Sequence, residues 1–257
     1  MPISVAQVQV SDISGFVWKI NDEVKLARLV AQVYLGHAHH VEKILVNLRP
    51  KGKGPSVDHN ATKSAKALLK INTTHRDGLL FQTISWIVAQ STSASKNSVI
   101  KLPHLIPAHK GFDGLQINIG GAQKLEGVVI FEDKATKNAR STITNKVWPE
   151  FRGYESGARE NELMQETTAL LYRLPGLDVD KTIEGIVWKH VRKYRVSVTG
   201  EPLHGSSPEF ESLFSGYDEV APGNHSCPKQ LLAAALLDRG RSPAAWLWRP
   251  ETLPQGP

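Results

Sequence analysis

The chain has 257 residues, which is enough for one large domain or two small ones with a full apolar core. Apolar residues make up 40% and charged residues 22%, as in globular proteins, and the net charge of +6 moderately favours a polyanionic partner. The single cysteine, Cys227, excludes an intramolecular disulfide, and no signal-peptide pattern or long apolar run is found, so we expect a cytoplasmic protein without membrane contact.

The N-terminal part of the chain alternates between strand and helix patterns. Apolar residues alternate over residues 1–20, which predicts one or two strands. Asn21 or Asp22 can then cap a helix that runs to about His37, and Gly36 is a residue that can end it. A basic loop rich in Gly and Pro follows. The apolar segment from about Gly78 to Gln90 predicts a helix that is buried against a sheet.

The middle of the chain predicts a β-hairpin, followed by less regular structure. Lys110–Ile119 and Leu125–Asp133 are predicted to be two strands joined by a turn at Gly120 and Gly121. The later elements are expected to be a polar, outward-leading segment at Lys134–Lys146, an amphipathic helix at Ala158–Leu174, a strand at Tyr194–Val198 and a short helix at Leu231–Leu237. We therefore divide the chain into an N-terminal extension with strands and a helix packed on the core (1–76), a core (77–200) and a loop-rich C-terminal segment (201–257).

Three charged residues of the predicted hairpin form a pattern with chemical meaning. Glu132 and Lys134 are two residues apart on one strand and share a face, whereas Asp133 points the other way. They end an apolar run, where burial of charge is costly unless a cation offsets it. The hairpin brings Asp113 towards them. A turn centred between Gly120 and Gly121 sets residue 113 opposite residue 128, so contact with Glu132 requires a longer, twisted hairpin or a bulge.

The stretch with Asp113 after Gly-Phe and Glu132-Asp133-Lys134 after an apolar strand resembles the PD-(D/E)xK nuclease superfamily. Phe112 stands where that family has Pro. The Gly78–Gln90 helix matches the family's preceding helix, with Gln82 where a Glu is common. The segments GFDG and FEDKAT are similar to those of effector nucleases of bacterial anti-phage defence systems of the Hachiman type.

The resemblance implies a fold, a cofactor and a reaction. The fold would be α/β and restriction-endonuclease-like, with a mixed central sheet flanked by helices. Asp113, Glu132 and the main-chain carbonyl of Asp133 would hold Mg²⁺ or Mn²⁺ for DNA cleavage, and Lys134 would orient a water or stabilise the developing charge. Gln82 and Gln165 would be auxiliary residues. A regulatory helicase or sensor protein, or homo-oligomerisation, would restrain the nuclease in antiviral defence.

The DNA partner implied by this resemblance would contact basic residues in three parts of the chain. The candidates are Lys51, Lys53, Lys63, Lys137, Arg140, Lys189, Arg192 and Lys193, and Trp188 and Tyr194 could stack on bases between the last of these. Three alternatives stay open. The protein binds nucleic acid on the same fold without catalysis, it is a Zn²⁺-dependent hydrolase that uses the cluster His37, His39 and His40, or it is a scaffold.

Overall fold

The sheet is the central element of the computed structural model. The model describes residues 2–10, 13–45, 73–93, 98–104, 111–121, 125–174, 176–187, 191–200, 207–222 and 231–237. The strands are β1 (Ile3–Val10), β2 (Ile13–Ile20), β3 (Ser98–Ile100), β4 (Gly114–Ile119), β5 (Leu125–Lys134), β6 (Arg192–Gly200) and β7 (Leu231–Leu237). They form one seven-stranded sheet in the order β1-β2-β7-β6-β5-β4-β3. Because β2, β7, β6 and β5 are parallel neighbours and the outer pairs are antiparallel, the sheet is mixed.

Helices cover both faces of this sheet. They are α1 (Glu23–Gln32), α2 (Ala38–Leu45), α3 (Thr73–Thr92), α4 (Ala139–Thr142), α5 (Trp148–Glu155), α6 (Glu160–Leu171), α7 (Val179–Val187), α8 (Ser207–Phe214) and α9 (Tyr217–Val220). One apolar core joins the sheet to α4–α9, and a second joins it to α1–α3. The described part of the chain is therefore an α/β structure with a mixed sheet between two helical layers.

Strand β5 contributes to both cores because its side chains alternate. Val128 and Ile130 lie in the core beneath α4–α9, whereas Val129 and Phe131 lie in the core beneath α1–α3. This double burial explains the continuous apolar run that precedes Glu132. The strand therefore carries its last three residues from a fully covered interior to the edge of the sheet.

The helical start at Asp22 and the break at Gly36 agree with the sequence. Asp22 Oδ1 accepts a hydrogen bond of 2.8 Å from the amide of Lys25, so Asp22 is the cap of α1. A kink within Val33–His37 separates α1 from α2, and at this kink Gly36 has φ of 81°. A residue with a side chain adopts this left-handed conformation at a cost, which explains why glycine stands at the kink.

Two predicted segments are wrong. Lys134–Lys146 does not lead outward as a polar segment, because α4 and a π-helical turn at Ile143–Val147 bury Ala139 and Ile143 in the core. Leu231–Leu237 is not a short helix but the strand β7 between β2 and β6. Leu and Ala favour helices, but a strand in a parallel part of a sheet also reads as a continuous apolar run. The sheet context therefore overrides the local preference.

The three segments assigned from the sequence share the sheet. Strands β1 and β2 come from the N-terminal segment, β3 to β6 from the middle, and β7 from the C-terminal segment, which also contains α8 and α9. The link between the N-terminal hairpin and β6 is therefore made by residues far along the chain. Within the described ranges, no helix has the length and apolar character needed to cross a membrane.

Candidate active site

The hairpin of β4 and β5 brings Asp113, Glu132 and Lys134 together. Asp113 directly precedes β4, and the last ladder pair of the hairpin joins Gly114 to Phe131. Lys134 Nζ lies 2.8 Å from Asp113 Oδ2 and 2.6 Å from Glu132 Oε2. One ammonium group therefore joins both carboxylates at the end of β5.

The register of the hairpin accounts for this meeting. The pairing runs from Gly114 with Phe131 to Asn118 with Gly127, and it shifts between Asn118 and Ile119. The connection between the strands is longer than a two-residue turn at Gly120 and Gly121, as contact with Glu132 required. A side chain at position 114 would meet Phe131, since a Cβ there would lie 2.7 Å from Phe131 Cδ2. Glycine thus lets the two strands approach closely beside Asp113.

Asp113 is held by groups from two other elements. Gln82 of α3 donates from Nε2 to Asp113 Oδ1 over 2.5 Å, and the amide of Asp133 donates to Asp113 Oδ2 over 2.8 Å. The amide of Asp113 itself donates to the carbonyl of Phe131. The carboxylate of Asp113 therefore has a fixed orientation towards the end of β5. Gln82 is the auxiliary residue that the structure brings to the site.

Glu132 is the most buried acid of the site. Its residue surface is 2% exposed. Burial is the main cause that raises the pKa of Glu132 to about 8, and the negative charge of Asp113 raises it further, while Lys134 opposes both. Burial alone would lower the pKa of Lys134, but the two carboxylates outweigh it and raise that pKa. Burial and the charge of Asp113 therefore favour the protonated form of Glu132, whereas Lys134 keeps its positive charge.

Asp133 points to the opposite face, as its position in the strand predicts. Ser85 of α3 donates from Oγ to Asp133 Oδ1 over 2.7 Å, and Arg195 Nη2 of β6 donates to Ser85 Oγ over 3.0 Å. Burial raises the pKa of Asp133 to about 6, the charge of Asp113 adds to this, and Arg195 with the hydrogen bonds from Ser197 and Ser85 opposes it. The sequence reasoning missed this buried network. A serine within the apolar run of α3 was the available signal.

Helix α6 contributes Glu162, not Gln165, to the surroundings of Asp113. Glu162 Oε1 accepts from the amide of Phe112 over 3.2 Å, next to Asp113 in the chain. Arg159 holds the other oxygen of Glu162 at 2.9 Å and also pairs with Glu150. Gln165 is exposed, so the structure does not bring this predicted auxiliary residue to the acids.

The residues at the end of β5 fit a hard divalent cation. Asp113 and Glu132 supply carboxylate oxygens, and Mg²⁺ is often bound by one or two carboxylates while it keeps several waters. The raised pKa of Glu132 comes mainly from burial, and a bound cation would favour the ionised form that burial disfavours. The described residues contain no group of three or more His, Cys, Asp or Glu that could hold a metal ion. Main-chain carbonyls and waters are other oxygen ligands of Mg²⁺. The side chain of Asp133 is engaged elsewhere, which leaves its carbonyl.

Of the three histidines of the alternative zinc site, the structure describes the side chain of one. His39 lies on α2 and is exposed. The side chains of His37 and His40 lie outside the described part of the chain. Because α2 packs in the core with α1 and α3, these positions belong to the face opposite Glu132.

The structure divides the predicted nucleic-acid contacts. Lys51, Lys53, Lys63, Trp188 and Lys189 lie outside the described residues. Lys137 is exposed shortly after Lys134. Arg140 is exposed too, but its guanidinium donates to the carbonyls of Leu213 and Ser215 over 3.1 and 2.7 Å, at the end of α8. Lys193 pairs with Val129 and so lies on the face of β6 opposite Glu132.

Arg192 was wrongly assigned to a nucleic-acid surface, and of the two possibilities for Tyr194, base stacking or a place in the core, the structure shows the core. The side chain of Arg192 is fully buried, where it donates to the carbonyl of Tyr154 and pairs with Glu160. Tyr194 is buried in the core, and its hydroxyl donates to Glu155 over 2.6 Å. Arg192 therefore links β6 to α5 and α6, and the ring of Tyr194 is inaccessible to a base.

Comparison with known proteins gives no family for this chain. No protein-family model matches it. No curated protein matches it either. The geometry at the end of β5 is therefore the structural support for the function proposed below.

Proposed function

We propose that the protein is a Mg²⁺- or Mn²⁺-dependent nuclease that hydrolyses phosphodiester bonds in DNA. The observation that carries the proposal is the ammonium of Lys134 within 2.8 Å of Asp113 and 2.6 Å of Glu132, at the end of a buried strand. A surface ion pair would not need two acids for one base. A site that handles a cation and a phosphate uses all three groups.

The proposed fold is the restriction-endonuclease-like form of a mixed α/β structure. Its support is the arrangement of the hairpin. Asp113 directly precedes β4, and Glu132 and Lys134 end β5. The preceding helix α3 packs against the same strands. Helices on both faces of the sheet are compatible with that fold.

Each residue has a separate role in the proposed reaction. When bound, the divalent cation supplies positive charge that acidifies a water and neutralises the phosphate. Asp113 and Glu132 offer oxygen ligands, and Gln82 keeps Asp113 in one orientation through Oδ1. Lys134, which stays protonated because both acids raise its pKa, holds the attacking water or stabilises charge on the phosphate.

The substrate proposal is DNA, with Lys137 as the described basic residue nearest in sequence to the site. Its exposed side chain follows Lys134 by three residues, and the chain carries a net charge of +6. Lys193 is not included, because its side of β6 faces away from Glu132. Neutralising phosphates in this way gives affinity without base specificity.

The proposed biological role is that of an effector in bacterial antiviral defence, acting in the cytoplasm. Its support is the similarity of GFDG and FEDKAT to such nucleases. An unrestrained nuclease damages its own host. The proposal therefore includes control by a helicase or sensor protein, or by assembly of several copies of the chain.

A plasmid assay tests the proposed activity. Supercoiled plasmid with Mg²⁺ should be nicked by the wild-type protein and spared when EDTA is added. Glu132→Ala and Lys134→Ala should each lower the rate by at least about 100-fold, because each removes a group that acts on the transition state. Rates are measured from the loss of supercoiled DNA on gels.

Glu126→Ala is the matched control for this assay. Glu126 is exposed near the start of β5, six residues before Glu132, which is about 20 Å along a strand. This variant should nick as the wild type does. Equal nicking by all variants would assign the activity to a contaminant. DNA binding without nicking would favour the non-catalytic alternative.

A further inference from the structure

The last residues of β5 are paired along one side of the strand. The ladder with β4 ends at Gly114 and Phe131, whereas the ladder with β6 continues to Lys134 and Val198. On the β4 side, the amide of Asp133 donates to the carboxylate of Asp113 instead of a strand partner. The ladder with β4 therefore does not fix the twist of the segment that bears Glu132 and Lys134.

The side chain of Asp133 supplies another anchor for this segment. Ser85 Oγ has one hydrogen, and it is donated to Asp133 Oδ1 over 2.7 Å. The same oxygen accepts from Arg195 Nη2 at 3.0 Å, and it lies 3.3 Å from Ser197 Oγ. These bonds run in one direction, from the guanidinium through the serine to the carboxylate. They tie β5 to α3 on the face opposite Glu132.

Helix α3 contacts both acidic positions from one face. Gln82 and Ser85 are three residues apart, which sets them side by side on a helix. Gln82 donates to Asp113 and Ser85 donates to Asp133. The same helix therefore fixes the distance between the two acidic segments of the site.

Arg195 holds Ser85 in place from the centre of the second core. Its guanidinium lies 4.4 Å from the ring of Phe131 and 5.4 Å from that of Trp18, and it also donates to the carbonyl of Ser85. The residue is 7% exposed. A buried positive charge with aromatic rings around it is held rigidly, and it needs a negative partner such as Asp133.

We propose that Ser85, held by Arg195, is a positioning residue for the candidate active site. By anchoring Asp133, it sets the orientation of Glu132 and Lys134 relative to Asp113. This inference rests on the proposed function. It assigns Ser85 no contact with substrate or cation, because its side chain lies on the other face of the sheet.

Two readouts on the full chain test the proposal. Ser85→Ala should lower the turnover of plasmid cleavage by about 10- to 100-fold and leave the KM for DNA unchanged, as loss of groups that orient a metal site does. It should also weaken binding of Mn²⁺, followed by the electron paramagnetic resonance of the free ion, by about tenfold. Ser85→Thr keeps the hydroxyl and should lie closer to the wild type in both measurements.

Thr83→Val is the matched control. Thr83 is also fully buried on α3, but its hydroxyl donates to the carbonyl of Leu79 within the helix. Its loss should leave turnover and Mn²⁺ binding within about twofold of the wild type. Equal losses for Thr83→Val and Ser85→Ala would overturn the proposal, because the effect would then be one of general stability. Ser85→Thr at or below the level of Ser85→Ala would overturn it as well.

The two readouts separate this inference from the proposed function. If the wild type cleaves DNA and Ser85→Ala behaves like it, the positioning role fails and the nuclease stands. If the wild type binds Mn²⁺ without cleaving DNA and Ser85→Ala binds it less tightly, the nuclease fails and the positioning role stands. If the wild type neither cleaves DNA nor binds Mn²⁺, both fail.

Discussion

The carboxylate of Glu132 is buried at a cost that its surroundings only partly offset. It shares one ammonium, that of Lys134, with Asp113. An ion pair that serves stability alone would match one acid with one base, because each unpaired buried charge lowers the stability of the fold. A buried acid whose pKa is raised by burial and by a neighbouring charge is typical of functional sites.

Replacing this acid should stabilise the fold while it removes activity. The pKa of Glu132 is about 8 in the folded protein and has an ordinary value of 4.5. Between these values the folded state keeps a proton that the unfolded chain releases, so stability falls as the pH rises through this window. Glu132→Gln removes this loss. In EDTA, the melting temperature of Glu132→Gln should exceed that of the wild type only slightly at pH 5. Above pH 8 the difference should be several degrees.

The exposed Glu126 provides the control for this pH dependence. Glu126→Gln, on the same strand, should follow the wild-type melting temperature at each pH, because an exposed carboxylate loses little hydration on folding. A Glu132→Gln protein that melts below the wild type at high pH would mean that the carboxylate stabilises the fold.

The acidic pair and its lysine were predictable from the sequence, but their support was not. Glu132 and Lys134 follow from strand alternation, which is a local property. The contact of Ser85 with Asp133 depends on which helix covers β5, and that of Arg195 depends on β6 being the neighbour of β5. Neither pairing is encoded in local spacing.

At the level of elements, the sequence predicts helices and strands that have a clear hydrophobic period. It does not predict those whose conformation depends on their neighbours in the fold. The helix at Gly78–Gln90 lies within α3 and the strand at Leu125–Asp133 matches β5, but β4 begins at Gly114 rather than at Lys110. The residues Ile143, Val147, Phe151 and Tyr154 have helical spacing and could have shown the segment formed by α4 and α5. The strand β7 could not be found in this way, since only its neighbours in the sheet select a strand.

The two glycines Gly36 and Gly78 should respond to alanine with opposite signs. Gly36 has φ of 81°, so Gly36→Ala should lower the free energy of unfolding by about 1 kcal/mol. Gly78 lies in α3 with open space around its Cα, so Gly78→Ala should raise the free energy of unfolding by about 0.5 to 1 kcal/mol. Urea titrations of both variants measure the changes. The same sign for both would contradict the assigned kink at Gly36.

On the scale of the whole molecule, few of the described basic candidates lie where they could contact DNA at the end of β5. Of the described candidates, Arg192 is buried, Arg140 is bound to the end of α8, and Lys193 faces away from Glu132. Net charge therefore predicts a class of partner, but the fold decides which basic side chains can reach that partner. Lys137 is the candidate that remains exposed near the site in sequence.

DNA affinity should depend on salt through Lys137. Replacing it by alanine should reduce the slope of log affinity against log salt by about one, since one phosphate contact is lost. Lys25→Ala, on the exposed side of α1 in the other helical layer, should leave the slope unchanged. Fluorescence anisotropy of a labelled duplex between about 50 and 200 mM salt measures both. An unchanged slope for the Lys137 variant would remove this residue from the DNA surface.

The position of β7 in the sheet has a consequence for synthesis of the protein. Strand β7 lies between β2 and β6, although it follows them both in the chain. Until β7 has been synthesised, one edge of β6 is unpaired and can pair with other nascent chains. The N-terminal hairpin also lacks the strand with which β2 pairs. Completion of the sheet is therefore a late, long-range event, and shielding by chaperones should matter most just before it.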